Sequence, residues 1–296
     1  MLAIKPINIT AAMVTASNAG ADDAAYNPAT TYNTLGTRVY VADTGYSYQL
    51  VQAPATGKYP PTEPLFWIKA APSNRQAMFD TEISTATVTT GDLTATLSPG
   101  VRFNAIGFAG LVGTSLQVVQ KTASGAVLTS KIISLKSNPG GWYSYFFEPR
   151  LQVREAYVLG LIPVSGSTLE IRITGPAACA AVVLGNSFDI GQAQYGASNG
   201  IADYSKKTTS ADGVQLYQKG RFSRLVSVSL FQDAGTYAAV NRFFEDVRAT
   251  PIFFITVPDD QTYEPLTLFG AYSDFRITVP YPKYNLCTLE IEGLSS

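Results

Sequence analysis

The sequence predicts a mainly β protein, in which a β-sandwich or jelly-roll domain is followed by a small α+β domain with one amphipathic helix. Short strand-like segments separated by turn residues fill residues 58–185. A single stretch, 236–248, carries apolar residues at helical spacing. Charged residues make up only 15% of the chain, well under the roughly 25% of an average globular protein. Low charge suits a protein whose faces are covered by other subunits.

Residues 1–57 are predicted to form an N-terminal arm. A first strand is expected near residues 2–9, and two more at 38–41 and 46–51, with loops rich in Ala, Asn, Asp and Thr between them. A segment of this kind buries little surface alone. We therefore expect it to pack on the body of the protein or on a neighbouring subunit.

Residues 66–80 carry large apolar residues around a polar turn. The run at 65–68 suits a short buried strand, Pro72 ends regular pairing, and Asn74 has turn chemistry. Residues 77–79 then return to the interior. We interpret the stretch as the first strand and a structural corner of the sandwich, fixed by Asn74, Arg75 and Asp80, with an ion pair between Arg75 and Asp80.

The firmest local prediction is a hairpin over residues 85–98, closed by a two-residue turn at Gly91 and Asp92. In that register, one face is largely apolar and the other is a ladder of hydroxyl groups. The remaining strands of the 58–185 domain are predicted at 102–108, 115–121, 127–135, 141–147, 155–161, 169–174 and 179–184.

Residues 186–217 are polar and contain frequent glycines, which predicts an extended connection that touches both domains. The α+β domain is expected over 218–296. It has strands at 221–231, 252–257, 275–279 and 287–291, and its helix ends before Pro251.

Composition excludes several kinds of chemistry. The chain has no histidine, so Ser-His-Asp and Cys-His nucleophile systems and His-ligated zinc sites cannot be built from it alone. A net charge of -1 argues against nucleic acid and anionic membranes as partners. Cys179 and Cys287 lie in apolar or alternating segments, which favours buried free thiols over a bridge or a reactive thiol.

The aromatic run at 142–147 is the candidate ligand or subunit surface. A strand there would place Trp142 on one face, and Tyr143, Tyr145 and Phe147 on the other. One set could stack on sugar rings while the other lies in the core. The alternative is a core contact on one side and a subunit interface on the other.

Other polar groups give weaker signals. The pairs Asp22-Asp23 and Asp259-Asp260 suit solvated loops or a weak calcium site better than a glycosidase pair, since adjacent strand residues face opposite ways. The basic residues at 206, 207, 221 and 224 suggest a face that meets acidic groups on a partner. We predict no enzyme activity, no cofactor and no metal.

The N-terminus lacks a signal-peptide apolar region, and no apolar run approaches the length of a membrane span. We therefore expect synthesis in the cytoplasm and no insertion into a membrane.

Three regions together resemble proteins of the tail tip and baseplate of long-tailed bacteriophages. They are residues 67–80 with an Asn-Arg-x-x-Met-Phe-Asp core, 185–207 with Gly-x-x-x-Asp-Ile-Gly followed by Ile-x-Asp-Tyr-Ser-Lys, and 275–294. The resemblance covers the chain from about residue 60 to the end. Distal-tail ring proteins and baseplate-wedge proteins share this two-part β plan, so both subtypes stay open.

The resemblance implies a structural subunit of the virion tail that forms rings or multimers and contacts other tail proteins. It also implies a jelly-roll module similar to carbohydrate-binding domains. The alternative that it leaves open is a receptor- or glycan-binding module that recognises host-surface polysaccharide. A glycan hydrolase is the least favoured hypothesis.

Overall fold

The computed structural model describes residues 1–80, 82–136, 141–209, 212–258 and 261–294, without the side chains of residues 144, 145, 261 and 262. Two α-helices occur among these residues, α1 (Trp142–Phe147) and α2 (Tyr237–Asp246). The first twelve strands are β1 (Leu2–Pro6), β2 (Val14–Ser17), β3 (Thr31–Tyr32), β4 (Arg38–Val41), β5 (Tyr46–Leu50), β6 (Ala55–Thr56), β7 (Trp67–Pro72), β8 (Thr87–Thr89), β9 (Leu93–Leu97), β10 (Ala105–Ala109), β11 (Ser115–Lys121) and β12 (Val127–Ser134). The others are β13 (Ala156–Leu159), β14 (Thr168–Thr174), β15 (Ala177–Cys179), β16 (Ala181–Asp189), β17 (Gln192–Ala193), β18 (Ser198–Asp203), β19 (Lys206–Thr209), β20 (Gln215–Gln218), β21 (Phe222–Asp233), β22 (Ile252–Ile255), β23 (Thr267–Thr278) and β24 (Tyr284–Gly293). The chain is therefore mainly β, as predicted.

Ten strands form one large antiparallel sheet. Its order is β13-β10-β16-β1-β22-β23-β24-β21, and both β17 and β18 pair with β21. The sheet crosses the predicted domain boundaries. Strand β1, from the predicted N-terminal arm, lies between β16 and β22, and β16 runs through the predicted boundary at residue 185. The N-terminal strand thus joins the two halves of the sheet.

A five-stranded sheet with the order β12-β11-β14-β9-β2 packs against one part of the large sheet. The core between them contains Leu97, Leu116 and Ile171 from the smaller sheet, and Phe108 and Leu184 from the larger one. The smaller sheet supplies these core residues from one face, because every second residue of β11 and β14 is buried.

The opposite face of β10 and β16 is also buried. Val183 lies there with Ile4, Phe253 and Phe269. The ring of Phe253 packs directly on Gly107, where an added Cβ would lie only 2.6 Å from Cγ of the ring. Close contact between β10 and β22, which are separated by two strands in the sheet order, shows that the sheet curls.

Helix α2 confirms the predicted amphipathic helix. Its buried residues Val240, Phe243 and Phe244 pack on the C-terminal half of the large sheet. The ring of Phe243 stacks on Phe188 with centroids 4.5 Å apart. Asp233 accepts a hydrogen bond from the Gly235 N–H at the start of the preceding turn. The apolar stripe therefore faces the sheet, as its spacing predicts.

Residues 24–72 build a small N-terminal unit around Trp67. Strands β4, β5 and β7 form one sheet, and β3 pairs with β6. The Trp67 side chain is buried, its Nε1 donates to the Lys58 carbonyl at 2.9 Å, and Tyr26 and Tyr32 pack edge-on against it. Strand β7 therefore belongs to this unit. The interpretation of residues 66–72 as the first strand of the sandwich was wrong.

The predicted hairpin over 85–98 was also wrong. Strand β8 pairs with β15, and β9 pairs with β14 and β2. Asn18 occupies the edge of β9: its Nδ2 donates to the Asp92 carbonyl at 2.6 Å, and its Oδ1 accepts from the Thr94 N–H at 2.8 Å. Long-range partners replace the local pairing, although Leu93, Ala95 and Leu97 do face the core as predicted.

The segment predicted as a connection, residues 186–217, forms strands of its own. It contains the end of β16, then β17, β18, β19 and most of β20. Strands β18 and β21 form a hairpin that continues outward as β19 and β20, with Lys206 opposite Gln218. These residues therefore do not form the predicted connection between two separate domains.

Candidate functional site

The aromatic helix, α1, lies in a loop that leaves the five-stranded sheet after β12. Lys136 and Gln152 form an isolated antiparallel bridge, and the Val153 N–H donates to the Leu135 carbonyl at 2.9 Å. These contacts close the base of the loop. The chain therefore leaves the body of the protein and returns at one point, with α1 in between.

The strand predicted at 141–147 was wrong, because these residues form α1. Trp142 stacks on Phe146 with centroids 6.0 Å apart, and Tyr143 lies 5.2 Å from Phe147. Both are i, i+4 pairs, which meet on one side of a helix, and Pro149 follows soon after the last turn.

The rings of the aromatic helix face solvent. Trp142 is 82% exposed, Tyr143 70% and Phe147 74%. Trp142, Tyr143 and Phe147 lie outside the core, so the core contact that both interpretations assumed was wrong for these residues. The side chain of Tyr145, the fourth predicted surface residue, lies outside the described part of the chain. What remains is an exposed aromatic surface of the kind that contacts sugar rings or other proteins.

The corner residues each hold a different segment. The Asn74 side chain acts as a strand partner for β8: Nδ2 donates to the Val88 carbonyl at 2.9 Å, and Oδ1 accepts from the Val88 N–H at 2.8 Å. Arg75 Nη2 donates to the Val14 carbonyl at 2.6 Å. Asp80 accepts from the Thr85 hydroxyl at 2.6 Å. The predicted ion pair between Arg75 and Asp80 was therefore wrong.

The role of Asn74 gives a first testable prediction. Asn74→Ala should lower the free energy of unfolding by about 2 kcal/mol, because it removes both side-chain hydrogen bonds to Val88 and leaves that peptide group without them. Chemical denaturation checks this. Asn199→Ala, at an exposed position of β18, is the matched control and should change stability by less than about 0.5 kcal/mol. Equal effects of the two substitutions would contradict the assignment.

Beside the corner lies the carboxylate cleft, a cavity of about 740 Å³ between the N-terminal unit and the segment that follows Asp80. Asp43, Asp80 and Glu82 line it together with Tyr46 and Lys69. The Lys69 ammonium lies 3.3 Å from the centroid of the Tyr46 ring. Burial raises the pKa of the Asp80 carboxyl and of the Tyr46 hydroxyl. Three carboxyl groups face one ammonium group here, so the cleft suits a cationic group.

Glu155, which is buried, and Glu264, which is half-buried, form a carboxyl pair that no pattern in the sequence predicts. Glu155 precedes β13 and is 7% exposed. Oε1 of Glu264 accepts hydrogen bonds from the main-chain N–H groups of Arg154 and Glu155, at 3.2 and 3.1 Å. The guanidinium of Arg224, on β21, contacts the Glu155 carboxyl group. These side chains tie together three distant segments of the chain.

Burial and the neighbouring Glu264 carboxyl raise the pKa of Glu155 to about 8, against the opposite influence of Arg224. The raised pKa favours the protonated form of Glu155 at neutral pH. Two cavities of about 290 and 190 Å³ meet at this pair. No spacing in the sequence signals it, because 109 residues separate the two glutamates and Arg224 lies on an ordinary alternating strand.

The remaining candidates are dispersed. Asp23 pairs with Arg38, with 3.3 Å between Oδ2 and Nε, while Asp259 and Asp260 lie outside the described residues. Cys179 and Cys287 are buried free thiols, as predicted, and burial raises the pKa of each to about 12. Arg224 lies apart from the predicted basic face, since it contacts Glu155.

Within the described ranges, no group of three or more His, Cys, Asp or Glu side chains is placed to hold a metal ion. In the same part of the chain, none of the helices has the length and apolar character needed to cross a membrane.

Comparison with known proteins assigns no family. No protein-family model matches the chain, and a search of curated proteins gives no match.

Proposed function

We propose that this chain is a structural subunit of the tail tip or baseplate of a long-tailed bacteriophage, where it assembles with copies of itself and with other tail proteins. The observation that carries the proposal is a β body with two projections that expose apolar side chains. One is the aromatic helix. The other is the projecting hairpin, β19 and β20, in which every described residue is exposed.

The sequence motifs support the same proposal. The Asn-Arg-x-x-Met-Phe-Asp region forms the corner, with Met78 and Phe79 in the main core. The second motif region spans the end of β16 to the start of β19, and the third covers the end of β23 and β24. Two sheets packed face to face over one core are what a sandwich or jelly-roll module requires.

We propose that the protein is made in the host cytoplasm and resides in the virion tail, with no enzymatic role and no nucleic-acid partner. Its net charge of -1 provides little attraction for phosphates. Exposed rings and a low surface charge favour protein partners, because assembly removes the rings from water.

Co-purification with phage particles tests the proposal. Tailed particles from a lysate would be banded by density and digested for mass spectrometry. We expect peptides of this chain at a constant ratio to known tail proteins across the band. A chain found only in the soluble fraction of the lysate would overturn the proposal.

A second candidate function is favoured by one observation, the exposed Trp142 and Tyr143 rings. Aromatic faces of this kind bind sugar rings, so the module could recognise host-surface glycan. Trp142→Ala/Tyr143→Ala should weaken binding of host polysaccharide at least about tenfold while leaving the unfolding temperature unchanged, since both rings are exposed. Surface plasmon resonance measures the binding. Tyr195→Ala, at a fully exposed position elsewhere, is the control. If the unaltered protein binds no polysaccharide, glycan recognition is contradicted.

A further inference from the structure

The projecting hairpin has a defined bend at its base. The Asp203 side chain accepts hydrogen bonds from the N–H and the hydroxyl of Ser205, and the Ser205 hydroxyl accepts from the Gly220 N–H. An added Cβ at Gly220 would lie 2.5 Å from the Tyr204 carbonyl oxygen. The bend is thus fixed by close packing and hydrogen bonds, which sets the direction of the hairpin.

Beyond this bend, the hairpin exposes both charge and apolar surface. Lys206 and Lys207 are exposed on β19, as are Leu216 and Tyr217 on β20. The base adds two more exposed cations, Lys219 and Arg221. A two-stranded hairpin is only marginally stable in water, so packing on another surface would stabilise it.

We propose that the projecting hairpin of one copy docks into the carboxylate cleft of a second copy. The hairpin and its base carry four cations and two acidic residues, Asp203 and Asp212, over residues 203–221. The cleft presents Asp43, Asp80 and Glu82 against the single cation Lys69. The excess charges are opposite in sign, and complementary charge directs two surfaces into one register.

Such a contact joins two different surfaces, one from each copy. Contacts of this head-to-tail type generate a ring when the rotation between neighbours closes. The inference rests on the proposed function and identifies the self-contact that a tail ring would need. The aromatic helix stays free in this arrangement for other tail proteins.

Charge exchange tests the inference. Sedimentation velocity would compare four full-length proteins: the unaltered chain, Lys206→Glu/Lys207→Glu, Asp43→Lys/Glu82→Lys, and the combination of all four substitutions. We expect each double substitution to weaken self-association at least about tenfold, and the combination to restore it to within about threefold. Lys136→Glu/Lys283→Glu, on exposed lysines elsewhere, is the control and should change little.

A crosslinking experiment tests the same contact if a charge variant fails to fold. Thr208→Cys, on the hairpin, would be mixed with Thr10→Cys, on the rim of the cleft, and treated with a short bis-maleimide. We expect a crosslinked heterodimer from the mixture, and much less from Thr208→Cys mixed with Ser124→Cys.

A monomeric unaltered chain, or a combination that associates no better than either double variant, would overturn the inference. Neither result bears on whether the chain is present in tail particles, which the co-purification experiment tests separately.

Discussion

Gly185→Ala is expected to lower the free energy of unfolding by at least about 3 kcal/mol. Gly185 lies on β16 opposite Pro6 of β1, and an added Cβ would overlap the main-chain carbonyl oxygen of Lys5. A main-chain atom cannot move aside as a side chain can. Strand β1 would have to shift, and it joins the two halves of the large sheet. Urea denaturation followed by circular dichroism measures the effect.

Gly91→Ala is the matched control for this experiment. No atom of another residue beyond its chain neighbours lies within 4 Å of the Cβ position at Gly91. The free energy of unfolding of Gly91→Ala should therefore stay within about 0.5 kcal/mol of that of the unaltered chain. If Gly185→Ala were equally harmless, β1 would not pack against β16 as described.

The raised pKa of Glu155 predicts a stability that falls as pH rises from about 4.5 to about 8. The pKa of Glu155 is about 8 in the folded protein, against an ordinary 4.5, so the folded state binds its proton more tightly than the unfolded state does. The contribution to stability is full below about pH 4.5 and is lost as pH rises through 8. Its size is on the order of 3–5 kcal/mol.

Glu155→Gln should remove most of this pH dependence. The amide has the size of the protonated acid and cannot ionise, so the difference in stability between pH 5 and pH 8.5 should shrink by on the order of 3 kcal/mol. Denaturation at both pH values measures it. Glu290→Gln, at an exposed position of β24, should keep the profile of the unaltered chain. An unchanged profile for Glu155→Gln would show that Glu155 is ionised in the folded protein at neutral pH.

The sequence predicted the mainly β fold, many strands and the amphipathic helix, because these elements depend on local periodicity. Strands β4 and β11 have the predicted bounds. Helix α2 carries its apolar residues at the spacing that buries them against a sheet. Apolar and polar residues alternate along β24, and its positions alternate between buried and more exposed in the same way.

The errors arose where long-range contacts decide the structure. Asn18 and β2 take the place beside β9 that the predicted hairpin gave to β8. Likewise, Trp67 packs with tyrosines of residues 24–59, which no local pattern reveals. The aromatic run at 142–147 has high strand propensity, yet it forms a helix on an excursion from the sheet.

The candidate sites were predicted only in part. Trp142, Tyr143 and Phe147 do form an exposed surface, although on a helix and not on the predicted strand. Glu155 and Glu264 could not be predicted, because folding alone brings them together. The same holds for the carboxylate cleft, which brings Asp43 together with Asp80 and Glu82 from a distant part of the chain.

Electron microscopy of labelled particles tests the central proposal most directly. Tailed particles would be incubated with gold-labelled antibody against a peptide that covers the exposed turn at residues 123–127 and imaged by negative staining. We expect gold at the end of the tail distal to the head, on most particles, with no label on particles from a lysate that lacks the gene. Gold absent from intact tails, while denatured particles also give no signal on a blot, would contradict it.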